Sequence, residues 1–260
     1  MNILDQLAEH ARERTEQAKR KRSFENLQAE ALGLVRGDFA FEKALKKDRM
    51  AFICECKKAS PSKGLIAEDL PYLEIARNYE TAGADAVSVL TEPKWFLGRD
   101  RYLREIAETV SVPCLRKDFT VDPYMIYEAK LLGASAVLLI CAILDRKELC
   151  DDLACCDELG LSALVEAHDE KEIETALSAG ARVIGVNNRN LKDFRVDTDL
   201  SRRLRSLIPP ELVFVSESGV RDEKDVEALR EIGADAVLVG EALMRAEDRI
   251  STLRKWRGEK

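Results

Sequence analysis

Four copies of one short pattern constrain this chain more than any other feature. They read Ala82-Gly-Ala-Asp-Ala-Val-Ser-Val, Leu132-Gly-Ala-Ser-Ala-Val-Leu-Leu, Ala179-Gly-Ala-Arg-Val-Ile-Gly-Val and Ile232-Gly-Ala-Asp-Ala-Val-Leu-Val. Their glycines fall at 83, 133, 180 and 233, intervals of 50, 47 and 53 residues. In each copy a charged amphipathic stretch runs into the Gly and a short apolar run leaves it. A Gly at such a junction ends a helix in the left-handed conformation and releases the chain into a strand. Apolar runs near 51–56, 86–90, 113–117, 136–141, 162–166, 183–187, 212–216 and 236–240 alternate with amphipathic stretches such as 69–82, 145–159 and 222–232. Eight strands each followed by a helix predict a parallel sheet with crossover helices, and the four repeats are its even strands. A period near 50 residues per two strand–helix units is too long for most solenoids and fits a closed (β/α)8 TIM barrel. An open doubly wound sheet is the alternative, but no G-x-G-x-x-G follows the first strand.

Residues 1–48 precede the alternation and read as a helical extension that caps the barrel of residues 49–260. Ile3, Leu4, Leu7, Ala8 and Ala11 recur at helical spacing. The run Lys19-Arg20-Lys21-Arg22 reads as a solvated helix end. A second helix covers about 25–35, with Gly37 as its expected stop. A formal charge of −7 argues against non-specific nucleic-acid binding, without excluding a small anion at a local basic site. The seven cysteines are an odd number set in apolar runs or helices, as expected of reduced thiols in a cytoplasmic protein. Cys150, Cys155 and Cys156 lack zinc-ligand spacing, and the histidines are His10 and His168, so no metal site is expected. Neither a secretory leader nor an apolar run of membrane-spanning length is visible.

The odd strands end in charge. Strand one finishes at Glu55-Cys56-Lys57, strand three at Arg116-Lys117-Asp118-Phe119, strand five at Glu166-Ala167-His168 and strand seven at Ser216-Glu217-Ser218-Gly219. Alternate strands of a barrel share interior layers, so Lys57, Lys117, Glu166 and Glu217 are expected to converge at the C-terminal mouth, with Glu55 one layer deeper. Incidental ion pairs at solvated strand ends are the plainer reading, and four on alternating strands count against it. After strand six, Asn187-Asn188-Arg189-Asn190-Leu191 offers turn residues and, in Arg189, a fork suited to a carboxylate. Loop aromatics Trp95, Phe96 and Phe119 are candidates for the wall of an aromatic pocket. Ser218-Gly219-Val220 and Val239-Gly240-Glu241-Ala242 each lead into a helix, which suits a phosphate held by the last two loops, with Ser60 and Lys57 completing it.

The segments E-C-K-K-A-S-P-S-K-G, S-V-L-T-E-P-K-W-F, L-R-K-D-F, L-V-E-A-H, N-N-R-N-L, S-E-S-G and V-G-E-A-L-M lie in that order from Glu55 to Met244. Together they closely resemble the indole-3-glycerol phosphate synthase family of tryptophan biosynthesis. The resemblance implies a (β/α)8 barrel with an N-terminal helical extension. It also implies cofactor-free ring closure of 1-(2-carboxyphenylamino)-1-deoxyribulose 5-phosphate with release of carbon dioxide and water. It makes Lys117 the general acid at the ketone oxygen and Glu166 the base of the later proton removal. Lys57 is then a contact to the anionic groups that also donates a proton, with Glu55 and Asn187 orienting these groups. Arg189 becomes the carboxylate contact, and Phe96 and Phe119 line the ring pocket. Glu217 and Ser218 bind substrate, while Ser60, Gly219, Gly240 and the amide of Glu241 hold phosphate. Some members carry Ser at the position of Glu241. A carboxylate there would repel phosphate, so its side chain is expected to point away.

A phosphorylated aromatic small molecule is thus the expected partner, with neither membrane nor nucleic acid, and a monomer or weak homodimer the expected state. Two enzyme alternatives share the fold. A Schiff-base lyase needs a deprotonated lysine, which three neighbouring carboxylates disfavour. A sugar-phosphate isomerase has no use for the aromatic loop or Arg189. A non-catalytic phosphate-binding barrel would have no need of the acid–base set.

Overall fold

The computed structural model describes residues 2–190 and 194–259, so Leu191 of the Asn-rich motif lies outside the described residues. Eight parallel strands close into a barrel: β1 Ala51–Cys56, β2 Ala86–Leu90, β3 Cys114–Lys117, β4 Ala136–Ile140, β5 Ser162–Ala167, β6 Val183–Asn187, β7 Val213–Glu217 and β8 Ala236–Val239. Each pairs with its chain neighbours and β8 closes on β1, as in Ile53 beside Leu238. Around the barrel run α4 Tyr72–Thr81, α5 Asp100–Thr109, α6 Pro123–Leu131, α7 Arg146–Leu159, α8 Glu170–Ala179, α9 Leu200–Leu204, α10 Glu223–Glu231, α11 Glu241–Arg245 and α12 Arg249–Trp256. The eight strands are those expected from the apolar runs, each to within a residue at either end.

The repeated glycines act as their position requires. Gly83, Gly133, Gly180 and Gly233 have φ between +71° and +89°. At each, the following amide donates to the carbonyl five residues back and the Gly amide to the one three back, at 2.9–3.1 Å. This double bond satisfies the last carbonyls of the helix and turns the chain into the sheet.

Strand side chains alternate between the two faces. Outward, Phe52, Cys54, Val87, Val137, Leu139, Val165, Ile184, Phe214 and Val237 join the helices in one buried cluster. Inward, Ile53, Leu115, Leu164 and Val215 sit on the odd strands and Ala86, Ala136, Val183 and Ala236 on the even ones, in a second cluster. Three helices precede the barrel: α1 Ile3–Lys21, α2 Phe24–Gly33 and α3 Ala40–Leu45. Helix α1 lies along the β2 and β3 loops through His10–Glu92 (3.2 Å), Arg14–Asp118 (2.7 Å) and Lys19–Asp122 (2.6 Å). Helix α2 then packs on α6, and α3 sends Phe41 and Leu45, both fully buried, into the inner cluster.

Gly37 does not stop α2, which ends at Gly33. Instead it meets the end of α7 backbone to backbone: a Cβ at 37 would lie 2.4 Å from the Gly160 carbonyl oxygen. Its amide donates to Leu159 O at 2.9 Å, docking the extension against the barrel's flank. The basic run after residue 18 is also less free than expected, since Lys19 is bonded to Asp122 and Arg22 to Glu30.

One buried group in α7 is held at a cost. Asp152 is 2% exposed, and burial, then Asp122, Glu148 and Asp151, push its carboxyl up to about 7. A carboxyl raised in the folded state adds stability below its unfolded value, and that contribution disappears as the pH rises through about 7. At about 1.4 kcal/mol per pKa unit the effect amounts to a few kcal/mol. Asp152→Asn is therefore expected to raise Tm relative to wild type increasingly from pH 5 to pH 8, in paired thermal melts. A Tm difference that does not change with pH would contradict this.

Candidate active site

The C-terminal ends of the strands open into one cavity of about 550 Å³. Its lining includes Glu55, Lys57, Ser60, Phe96, Lys117, Phe119, Glu166, Asn187, Arg189, Glu217, Ser218, Gly219, Gly240 and Glu241. Of the candidate residues taken from the sequence, all but Trp95 therefore border the same space.

The floor is a layer of charge. Lys117 extends from the end of β3 with Nζ 3.5 Å from Glu166 Oε2 and 3.7 Å from Glu217 Oε2. Glu55, 4% exposed, accepts from Lys57 Nζ at 2.5 Å and adds its charge to Lys117 and Glu217. Glu55 is thus not a layer below Lys117, as expected from its earlier place in the strand. The strands tilt, so interior neighbours on alternate strands are offset along the hydrogen-bonded register, and Glu55, Lys117, Glu166 and Glu217 share one height. Lys57, two residues on, stands above them.

These groups set one another's protonation. Burial alone would strip the proton from Lys117, but Glu166, Glu217 and Glu55 outweigh it and raise its pKa above the ordinary lysine value. Burial would likewise neutralise Glu166, but Lys117, then His168 and Asn187, keep it ionised and below the usual carboxylate range. Glu217 goes the other way. Burial, then the charge of Glu166, lift it to about 8 against the pull of Lys117. At neutral pH the layer thus holds an ammonium, an ionised Glu166 and a protonated Glu217, a division that like charges in close quarters enforce.

Backbone geometry makes room for this. Gly185 of β6 faces inward beside Glu217, and a Cβ there would lie 2.2 Å from Glu217 Oε1. A Cβ at Gly240 would fall 2.4 Å from Glu55 Oε1 and 2.9 Å from Lys57 Nζ. Gly219, at φ +100°, follows Ser218 at +65°, a turn that carries the loop after β7 across the mouth.

The walls are positioned by buried polar groups. Glu92, fully buried, accepts from the amides of Lys94, Trp95 and Phe96 at 2.7–3.0 Å. That loop aims Phe96 at Phe119, their centroids 6.1 Å apart. Trp95 turns from the cavity to stack edge-on against His10. Asn188 faces away too, bonding Ser201, Ser216 and Ser218, while Asn187 Oδ1 accepts from the Arg189 amide at 3.0 Å. Arg189 reaches Ser62 at 3.4 Å and Phe194 O at 3.3 Å. Glu241 spends its carboxylate on Lys63 (3.4 Å) and Arg245 (3.3 Å). Arg116 alternates outward, fully buried among Asp100, Glu128 and the Met125 carbonyl.

Several lining residues were not found from the sequence. Ile3 and Leu7 of α1 look over the mouth, as do Phe194, Val196 and Arg221 from later loops and Arg245 from the end of α11. In the sequence, Ile3 and Leu7 show only the helical period of any packed helix.

Fold and layer together define a (β/α)8 barrel that carries a lysine and carboxyl set at the C-terminal mouth. A family model described as indole-3-glycerol phosphate synthase matches residues 4–256. The chain belongs to that family. It is 57% identical over 257 residues to the indole-3-glycerol phosphate synthase of Ruminiclostridium cellulolyticum, covering 98% of this chain and 99% of that protein. It is 52% identical over 254 residues to that of Endomicrobium trichonymphae, covering 97% and 98%. Among solved structures, a 3-hexulose-6-phosphate synthase superposes with TM-score 0.65 over 80% of this chain and 99% of that one, at 14% identity. At that identity the likeness shows the barrel alone.

Gly185→Ala is expected to push the Glu217 carboxyl group out of its slot, an overpacking that typically costs about 1–3 kcal/mol. A crystal structure should show Glu217 displaced from Lys117, and kcat should fall more than KM rises. An unmoved Glu217 with unchanged kcat would contradict the slot.

Proposed function

We propose that this mouth closes the indole ring of 1-(2-carboxyphenylamino)-1-deoxyribulose 5-phosphate, with loss of carbon dioxide and water. The observation that carries this reading is Lys117 on the cavity floor, held charged between Glu166 and Glu217. Lys117 donates to the ketone oxygen as the ring carbon bearing the carboxylate attacks the carbonyl carbon. The carbon–carboxylate bond then breaks, its electron pair restoring the ring. Glu166, ionised, removes the proton whose departure drives dehydration, and Lys57, anchored by Glu55, protonates the leaving hydroxyl. Asn187 supports the ionised form of Glu166.

The remaining residues bind. Arg189 pairs with the substrate carboxylate through its planar fork. Phe96 and Phe119 flank the aryl ring, and Glu217 and Ser218 meet the sugar side. Ser60, Gly219, Gly240 and the Glu241 amide hold the phosphate, and Glu241's commitment to Lys63 and Arg245 supports binding by its backbone alone. Among the described residues no helix is long and apolar enough to cross a membrane, and all seven cysteines are free, which supports a cytoplasmic setting.

The purified protein incubated with this substrate is expected to generate indole fluorescence, and no product at micromolar enzyme would overturn the reading. Lys117→Ala and Glu166→Gln should each lower kcat by roughly 10²–10⁴. Near-wild-type turnover in either variant would remove the corresponding role. Borohydride trapping of substrate on Lys57 or Lys117 would instead establish Schiff-base chemistry.

A further inference from the structure

The run after β6 gives Asn187 and Arg189 to the chemistry above and leaves the residue between them unused. Asn188 is 3% exposed and does not border the mouth. Its side chain is nonetheless fully engaged. Nδ2 donates to Ser216 Oγ at 3.1 Å and to the Ser218 carbonyl at 3.0 Å. Oδ1 accepts from the Ser201 amide at 3.0 Å and the Ser201 hydroxyl at 2.9 Å. The backbone amide donates to Glu217 O at 2.9 Å, and the carbonyl accepts from the Asp197 amide at 2.8 Å. An asparagine that only makes a turn bonds to backbone about two residues on. These side-chain bonds reach 13, 28 and 30 residues away. The Ser201 amide can only donate and the Ser218 carbonyl can only accept, so the amide group has one orientation.

Ser218 is the unusual partner. Its φ is +65°, in the left-handed region, and Gly219 follows at +100°. Glycine takes that conformation freely, but a residue with a Cβ is disfavoured there by roughly fivefold to thirtyfold. A buried hydrogen bond has an effect of similar size, so the bond from Asn188 offsets the strain at Ser218. The turn also leans on the loop after β6, where a Cβ at Gly219 would lie 3.0 Å from Thr198 Cγ2 and 3.2 Å from Val196 Cγ1. It has room to move, because a second cavity of about 80 Å³ adjoins Ser218 and Gly219 between Asn188 and Leu229 of α10.

We propose that Asn188 is the positioning residue of the phosphate site. By holding the Ser218 carbonyl it keeps Ser218 left-handed, and that conformation presents the Gly219 backbone to the anion. The inference rests on the phosphate reading given above. Asn188 itself touches neither phosphate nor sugar; it acts through Ser218.

This arrangement explains a side chain at a position where glycine would be free of strain. Ser218 borders the mouth, on the sugar side of the substrate, so a glycine there would lose a group the site uses. The conformation is therefore enforced from outside, by a residue on the neighbouring strand end. The next residue along is Arg189, the carboxylate contact. One short segment after β6 thus sets both anionic ends of the site.

A double-mutant comparison separates this role from a merely structural one. Asn188→Ala should raise the dissociation constant of inorganic phosphate, followed by phosphorus-31 NMR, roughly fivefold to thirtyfold. The substrate KM should rise in step, with kcat falling much less. Made in a Ser218→Gly background, the same substitution should have little further effect on phosphate binding, because glycine adopts the conformation unaided. If Asn188→Ala does not fold, Asn188→Asp carries the test. It keeps the oxygen facing Ser201 and loses both donors, and any repulsion of phosphate by the new carboxylate appears in both backgrounds and cancels. Unchanged phosphate binding in the Asn188 variant, or an equal loss in both backgrounds, would overturn the proposal. A wild-type protein that binds no phosphate would remove the phosphate site and this role with it. One that binds phosphate but makes no product would overturn only the ring-closing reaction.

Discussion

The contact between the Lys117 ammonium and the carboxyls of Glu166 and Glu217 is the interaction on which the rest of this structure depends. A buried ammonium is costly, and so is each buried carboxylate. Placed together they cancel, but three acids and one base at one height would leave excess negative charge. The excess is removed in two ways. Glu55 takes Lys57 as a partner at 2.5 Å, and Glu217 keeps its proton. The floor is thereby close to neutral while still holding a strong acid–base pair.

The fold supplies this balance through constraints far from the charges. The repeated helix-ending glycines hand the chain back to the sheet after α4, α6, α8 and α10 with the same hydrogen bonds. The extension then covers the open side. Its first helix is latched to the β2 and β3 loops by His10, Arg14 and Lys19, and its apolar face looks over the cavity. Excluding water there strengthens the electrostatic contacts beneath.

Most of the barrel was legible because its determinants are local. A helix that must stop and a strand that must be buried leave a Gly and an apolar run side by side, and the chain shows that junction four times. The charged layer was legible too, since residues at odd strand ends converge once the barrel is granted. What escaped depends on contacts between distant segments. Gly185 is silent in sequence, because the reason for it is Glu217 on the neighbouring strand. Gly37 looked like a helix stop because its true partner, Gly160, is far along the chain. The height of Glu55 followed the strand tilt, which no single strand reveals. Asn188 was visible as a turn residue, yet its hold on Ser218 depends on how β6 meets β7.

The central claim is that the floor carries a charged lysine beside one ionised and one protonated glutamic acid. Carbon-13 NMR of side-chain-labelled glutamate, assigned with a Glu217→Gln variant, tests it directly in the free protein. Glu217 should titrate near pH 8, well above the ordinary carboxyl range, while Glu166 stays ionised throughout the neutral range. Nitrogen-15 shifts should keep Lys117 an ammonium at pH values where free lysine has begun to lose its proton. Carboxyls all ionised at pH 6, or a Lys117 that turns neutral below the ordinary lysine value, would contradict the account.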